Sequence, residues 1–221
     1  MRLEETGFVG QSLGMNPKWA EENLQTIRTL MERSAVYRRA LAPIMIFVGA
    51  IGIGGGILGD RLVIHSDCGF VLFWSGVAAV ALSGTFLMVR RQALKDSEPV
   101  WSSPTKRVAQ ALIPHFTVGI VAAASIAYEN DGDHFRNILI CIWCSAFGCA
   151  IHSAGFFMPR GMKLLGWLFI FAGILVLINL QLTILVSVMR NPNFVMAAIF
   201  GGLHLAYGIY LYFTEKKSPN A

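Results

Sequence analysis

Six long apolar runs, separated by short polar segments, occupy most of the chain. A helix needs roughly 20 apolar residues to cross the ~30 Å hydrocarbon core of a bilayer. The runs that meet this length are 41–59, 68–89, 108–128, 138–158, 164–189 and 194–213. None contains Asp, Glu, Lys or Arg, each of which would cost about 2.5–3.5 kcal/mol at the centre of such a helix. The pattern therefore predicts six transmembrane helices.

A more polar helix is predicted before the first span. Asn16 followed by Pro17 is typical of a helix N-terminus. Apolar residues then recur at helical spacing, namely Leu24, Ile27, Met31 and Ala35. The pattern predicts an amphipathic helix over 17–39 that ends near Pro43, where the chain enters the membrane. Such a helix lies on the bilayer or packs on the bundle; alternatively, it binds a partner or dimerises.

These elements place the chain in the all-α class, as a polytopic integral membrane protein with six transmembrane helices and an amphipathic N-terminal helix. We divide it into a cytoplasmic N-terminal segment over 1–40, a six-helix bundle over 41–213 and a cytoplasmic tail over 214–221. The longest connection, 90–107, is too short to bury a core of its own. Any active site would therefore have to lie inside the bundle or at its rims.

The distribution of Lys and Arg predicts the orientation, because cytoplasmic loops retain positive charge. Of the 18 such residues, 15 fall before the first span, in the second and fourth connections or in the tail. The other three are Arg61, Arg136 and Arg190. Both termini are therefore predicted to be cytoplasmic, in a cell membrane. This one-sided distribution accounts for the net charge of +5, so nucleic acid is not an expected partner.

Composition agrees with the membrane assignment, since 55% of residues are hydrophobic and only 14% are charged. That balance does not suit a water-soluble surface. The first 30 residues contain four glutamates and no apolar core, so no cleavable signal peptide is expected. The first span is then retained as an anchor.

Glycines in the first span predict close helix packing. Gly52 and Gly56 share one helix face, and Gly55 and Gly59 share another. Small residues four apart let the backbones of two helices approach each other. The expected use is packing within the chain, and a homo-oligomer interface or a locally loosened, ligand-lining helix remains open.

The second and fifth spans resemble each other in sequence. Gly69 and Gly76 enclose a run rich in aromatic residues, and so do Gly166 and Gly173. Because the two spans would run in opposite directions, the likeness suggests a three-plus-three inverted repeat, a plan common among transporters. A small transporter is therefore one alternative function.

Polar residues inside the predicted spans are the candidate ligands, because hydrocarbon offers them no water. They are His115, His152, His204, Asn179 and Gln181. At about 1.5 Å per residue, His115 and His152 lie at equal depth, and we hypothesise that they face each other. Neutral imidazole ligates haem and metals, so b-type haem or a metal held by these histidines is one interpretation. Hydrogen bonding between helices is the expected one.

Two further groups have simple interpretations. Cys68 and Cys141 both fall near the predicted external surface, where a disulfide is an open alternative. The acidic residues Glu129, Asp131 and Asp133 are expected to form a solvated external turn, because they lack the spacing of a calcium-binding loop.

Three functions from different classes follow. The leading one is a non-enzymatic accessory, sensory or assembly component, whose N-terminal helix or basic second connection contacts protein partners or anionic lipid. The alternatives are a redox protein with b-type haem or metal and the small transporter, both of which need more polar lining than the spans contain. No catalytic residues are identified, because the sequence has no Walker loop, nucleophile elbow, metalloprotease helix or dinucleotide fingerprint.

The predicted orientation is testable with reporter fusions. A reporter fused within 131–134 should be external, and one fused at the C-terminus should be cytoplasmic, because positive loops stay inside. Alkaline phosphatase and fluorescent-protein activities measure the two locations. The opposite result at either position would contradict the charge argument.

Overall fold

The computed structural model is helical over nearly all of the part of the chain that it describes. These residues are 17–62, 66–95, 97, 101, 103–126, 133–156, 158, 161–182 and 191–215, and between 17 and 40 only the side chains of Glu21 and Leu24 are described. The first five helices are α1 (Pro17–Arg61), α2 (Asp67–Lys95), α3 (Ser103–Ile126), α4 (Asp133–Ala154) and α5 (Gly161–Leu182). We use α6 for the last three consecutive stretches, which are α-helical over Pro192–Met196, π-helical over Ala197–Gly202 and α-helical over Leu203–Glu215.

The prediction of six long apolar helices is confirmed. The stretches that are long and apolar enough to cross a membrane are Leu41–Arg61, Asp67–Lys95, Thr105–Ser125, His134–Ala154, Gly161–Gln181 and Pro192–Thr214. This all-helical architecture is compatible with a multi-pass membrane protein. The predicted ends of the third and fifth spans, Tyr128 and Met189, lie outside the described residues.

The chain divides into two compact units, Met1–Val36 and Tyr37–Ala221. In the first unit a helix begins at Pro17, where the sequence predicts one. Glu21 and Leu24 are both exposed. The rest of the predicted apolar face, Ile27, Met31 and Ala35, lies outside the residues whose side chains are described.

The predicted helix end near Pro43 is wrong, because α1 continues through Pro43 to Arg61. Proline inside a helix removes one backbone hydrogen bond and costs about 3 kcal/mol, but its fixed φ is itself helical. The proline ring is exposed, whereas the residues beside it are buried, namely Leu41, Ala42, Ile44 and Met45. Burial of this apolar set offsets the local cost and keeps the helix continuous.

The predicted bounds of the fourth span are also wrong at both ends. Helix α4 begins at Asp133 rather than at Ile138, and it ends at Ala154 rather than at Met158. Arg136 and Asn137 are 8% and 3% exposed, so this polar first turn is packed inside the unit rather than in a loop. At the other end Gly155 forms a turn, in which its N–H donates to the carbonyl of Ile151.

Helix α4 lies at the centre of the second unit. Its residues Leu139, Ile140 and Cys144 are fully buried in a cluster with residues of α2, α5 and α6. Trp143 on the same helix donates its indole N–H to the carbonyl of Gly119 in α3, at 3.0 Å. A second buried cluster joins α1, α4, α5 and α6 and contains Leu41, Ala42, Met45, Ile151, Met162, Leu165, Phe169, Tyr207 and Leu211.

Helices α1 and α6 meet backbone to backbone. A Cβ atom placed on Gly52 would lie 2.8 Å from the Cα of Gly201, and one on Gly49 would lie 2.6 Å from the backbone nitrogen of Leu205. A Cβ on Gly56 would contact Ala197. Small residues on both helices therefore allow an approach that any larger side chain would prevent.

The other predicted packing glycines of α1 lie against α2 and, for Gly59, also against α6. A Cβ on Gly55 would lie 3.1 Å from the Val77 side chain, and one on Gly59 would lie 2.8 Å from Oδ1 of Asn193 and 2.9 Å from the Phe73 ring. Packing within the chain thus occupies both glycine faces. Gly54, by contrast, has open space within 4 Å.

A second close approach joins α4 and α5. Cβ atoms on Gly148 and Gly166 would each lie within 2.8 Å of the other glycine's carbonyl oxygen. One on Gly173 would lie 2.5 Å from the Ser145 hydroxyl, whereas one on Gly76 would meet nothing within 4 Å. The two glycines that the inverted-repeat hypothesis equates, Gly76 and Gly173, therefore have different surroundings.

Replacing Gly52 with Ala should destabilise the protein, and replacing Gly54 with Ala should not. The Gly52 methyl group would force α1 away from the α6 backbone, at a cost of about 1–3 kcal/mol. At Gly54 the better helix propensity of Ala contributes up to about 1 kcal/mol of stability. Thermal unfolding of the full chain in one detergent measures both. Equal midpoints for the two variants would contradict the proposed backbone contact.

Candidate functional site

Polar side chains collect at one end of the second unit. Asp67 and Arg136 lie in the first turns of α2 and α4, and Asn193 lies in the first turn of α6. Asp60 lies in the last turn of α1. Hydrogen bonds between these residues and their neighbours link four helices, and we call this set the polar end cluster.

A buried ion pair joins α2 to α4. The Nε of Arg136 donates to Oδ1 of Asp67 at 2.6 Å, and both side chains are buried. The carboxylate is favoured at the N-terminus of α2 by the helix dipole, whereas the guanidinium at the N-terminus of α4 is not. The negative charge of Asp67 offsets the cost of burying the Arg136 guanidinium. It also offsets the unfavourable interaction of that cation with the α4 dipole.

Sequence analysis missed this pair because it treated charges only as boundaries of apolar spans. A usable signal exists, however. Asp67 directly precedes the second predicted span and Arg136 lies two residues before the fourth. Opposite charges at the starts of two helices that enter from the same side are candidates for pairing, because such ends can lie at one depth.

Asparagines complete the polar end cluster. Trp74 on α2 donates its indole N–H to Oδ1 of Asn193 at 3.0 Å. Asn191 donates its amide to Asp60 at 2.5 Å and accepts from the backbone N–H of Asn193, which caps the start of α6. These bonds fix the first turn of α6 to both α1 and α2.

His204 lies in a box of aromatic rings. It is 2% exposed, and its ring centroid is 5.3 Å from that of Phe147 and 5.1 Å from that of Phe169. Phe200 contacts both phenylalanines, each with a centroid distance of 5.3 Å. The Nδ1 of His204 lies 2.6 Å from the carbonyl oxygen of Phe200, so Nδ1 carries the proton in that bond. The rings of α4, α5 and α6 enclose this imidazole.

The π-helical stretch ends two residues before His204. Segments of this kind occur most often as single turns within α-helices, frequently at functional sites. Here the helix directs Ala197 and Gly201 toward α1 and Phe200 and His204 toward α4 and α5. The stretch therefore belongs to the part of α6 that contacts three other helices.

The histidines predicted to face each other have separate neighbours. The Nδ1 of His115 lies 3.0 Å from the carbonyl of Ala111, within its own helix. This is the carbonyl next to the one that Pro114 releases by lacking an N–H. His152 packs edge-on against Trp167, at 5.5 Å, and its Nδ1 lies 3.5 Å from the carbonyl of Lys163. Among the described residues, no group of three His, Cys, Asp or Glu side chains is placed to hold a metal ion.

Two further predicted polar positions lie in α5. Asn179 is buried in α5, and Gln181 near the end of the same helix is exposed. Cys68 and Cys141 are free thiols, as are the other two cysteines. The predicted acidic turn at Glu129 and Asp131 lies outside the described residues.

The arrangement holds helices together rather than assembling reactive groups. The ion pair and the indole bond each join two helices, and His204 bonds within α6 while its ring packs on α4 and α5. Comparisons of the chain with protein-family models, with curated proteins and with solved structures find no match. Function therefore has to be argued from the contacts of these residues.

Removing one partner of the ion pair should be more harmful than removing both. Arg136→Gln removes the cation that bonds to the buried Asp67 carboxylate, and breaking one side of a buried ion pair costs about 3–5 kcal/mol. Asp67→Asn combined with Arg136→Gln leaves no buried charge, so much of the stability should return. Thermal unfolding of the full chain measures this, with exposed Arg61→Gln as the control. Additive losses in the double variant would show that the pair is not coupled.

Proposed function

We propose that the protein is a multi-pass protein of a cell membrane, with both termini cytoplasmic, that acts as a non-enzymatic accessory, sensory or assembly component. Its N-terminal unit is the proposed contact for a protein partner. The observation that carries the proposal is the division of the chain into a small unit, Met1–Val36, and a larger helical one, Tyr37–Ala221.

The contacts inside the larger unit support a structural rather than a catalytic role for its polar groups. Asp67 and Arg136 neutralise each other, and Trp74 is bonded to Asn193. Buried polar groups that are paired in this way contribute to helix association and specificity. In this proposal, exposed residues rather than these buried groups bind the partner.

The N-terminal helix supplies such a surface. Leu24 is 66% exposed, and Glu21, three residues earlier on the same helix, is also exposed. Apolar residues at helical spacing around Leu24 in the sequence would extend this contact, in the manner of amphipathic helices that bind grooves. An exposed leucine beside a glutamate suits a partner with an apolar pocket and a polar rim.

Leu24→Glu in the full chain should dissociate the proposed complex with a protein partner, because a charge cannot enter an apolar contact without a large desolvation cost. The chain is extracted from its native membrane with a lipid-retaining polymer and its particle mass is measured by light scattering. The wild-type protein should exceed the mass of one 24.2 kDa chain with its lipid, and Leu24→Glu should not.

Glu21→Gln is the matched control, because it changes an exposed residue on the same helix without adding charge. It should retain the assembly. Mass spectrometry of the extracted particles identifies whether the partner is a second copy or another protein. A wild-type particle that contains one chain, or an assembly that survives Leu24→Glu, would contradict the proposal.

A b-type haem protein is the second candidate, and one observation favours it. The bond from His115 Nδ1 to the Ala111 carbonyl leaves Nε2 as the nitrogen that can ligate iron, an arrangement typical of metal-binding histidines. The phenylalanine box around His204 is already filled by rings, so that residue is not a suitable ligand. A Soret band in the purified chain that is lost in His115→Ala would establish this candidate over the first.

A further inference from the structure

The exposed face of α2 changes chemistry along its length. Helices α2 and α3 bury the smallest shares of their apolar spans among the six. On α2 most exposed residues in the later half of the apolar run are apolar, including Val80, Leu82, Phe86 and Leu87, and Ser83 is an exposed polar residue among them. The helix then continues beyond this apolar stretch to Lys95. Its last exposed side chains are Arg90, Arg91, Leu94 and Lys95.

These two parts form one continuous strip. At about 100° per residue, Arg90, Leu94, Arg91 and Lys95 lie within an arc of roughly 140°. Leu87 falls inside the same arc, one turn earlier, and Val80 falls there three turns earlier. A rise of about 1.5 Å per residue puts Arg91 some 6 Å and Lys95 some 12 Å beyond Leu87. The strip is thus mainly apolar along one stretch, where it also contains the exposed Ser83, and basic immediately after it.

An exposed tryptophan and a further exposed lysine follow α2 in the sequence. Trp101, before the start of α3, is 59% exposed, and Lys106 in the first turns of α3 is exposed as well. Tryptophan is enriched where a bilayer changes from hydrocarbon to headgroups. In a bilayer, the exposed Trp101 side chain is therefore expected to lie at the interface.

We propose that this strip binds an anionic phospholipid, with Arg90, Arg91 and Lys95 around the headgroup phosphate and Leu87 and Val80 along its acyl chains. The inference rests on the proposed function only in that the chain spans a membrane. Continuity with the apolar face favours a lipid over nucleic acid, because a phospholipid joins a charged headgroup to acyl chains that run in the matching direction, and the exposure of this face along the bilayer normal favours a lipid over a soluble protein. Charge complementarity selects an anionic lipid over a zwitterionic one.

Native mass spectrometry of the full chain tests this, with phosphatidylglycerol and phosphatidylcholine of identical acyl chains as the probes. The wild-type protein should retain phosphatidylglycerol more tightly. Each neutralised basic residue should weaken its binding roughly fivefold, so that Arg90→Gln/Arg91→Gln/Lys95→Gln loses about a hundredfold. Arg61→Gln, which changes an exposed arginine at the end of α1, should leave the affinity unchanged.

Two further measurements make the result independent of folding defects in the variants. Raising the salt concentration should weaken phosphatidylglycerol binding to the wild-type protein, since the charges are exposed. Soluble glycerol phosphate should not displace the lipid, because it lacks acyl chains. Equal affinity for the two lipids, displacement by glycerol phosphate, or full binding by the triple variant would overturn the proposal.

A separate experiment tests the proposed membrane location. Alkaline carbonate releases proteins that do not span the bilayer, so a chain released from its membrane would contradict the proposed function. A chain that stays in the membrane but binds both lipids equally would contradict the lipid site alone.

Discussion

Polar groups buried among apolar helices have no water to bond with, and this constraint organises the helical unit. A buried guanidinium is tolerated because the Asp67 carboxylate lies 2.6 Å from Arg136. The indole of Trp74 bonds to the amide of Asn193, and the ring of His204 bonds to the Phe200 carbonyl. The guanidinium and the indole each need a partner on a neighbouring helix at one position along its axis. These two bonds therefore fix the register of the helices as well as their association.

Close approach of helices through small residues is the second condition for assembly of the helical unit. Hydrocarbon gives little hydrophobic driving force between apolar helices, so contact area has to come from shape. Gly52 and Gly201 provide it between α1 and α6, and Gly148 and Gly166 provide it between α4 and α5. The aromatic box fills the space where α4, α5 and α6 meet, with Phe147 and Phe169 at a centroid distance of 4.9 Å. Small residues and large rings thus alternate in one bundle.

Hydropathy was sufficient to predict the six long helices, because length and absence of charge are properties of each segment alone. It could not place the start of α4, since a charge that is paired across helices looks the same in sequence as a charge in a loop. Arg136 shows this, because its partner lies 69 residues away. The end predicted at Pro43 failed for a similar reason, as burial of Leu41 and Met45 depends on contacts with other helices.

The candidate site was less predictable than the fold. Polarity drew attention to His204, but the phenylalanines around it come from three helices and carry no local signal. Prediction of the polar end cluster would have required knowing which helix ends lie together. Asn191 and Asn193 flank an apolar run in the sequence, and only the positions of Asp60 and Trp74 give them partners.

The contact between α1 and α6 joins the first long apolar helix to the last. A ribosome makes the helices in chain order, so the face of α1 that contains Gly52 is made early and its partner Gly201 is made 149 residues after Gly52. For most of synthesis that face has no helix of its own chain to pack on. Completion of the bundle is therefore tied to completion of the chain, because the face of α1 that contains Gly52 stays uncovered until α6 has been made.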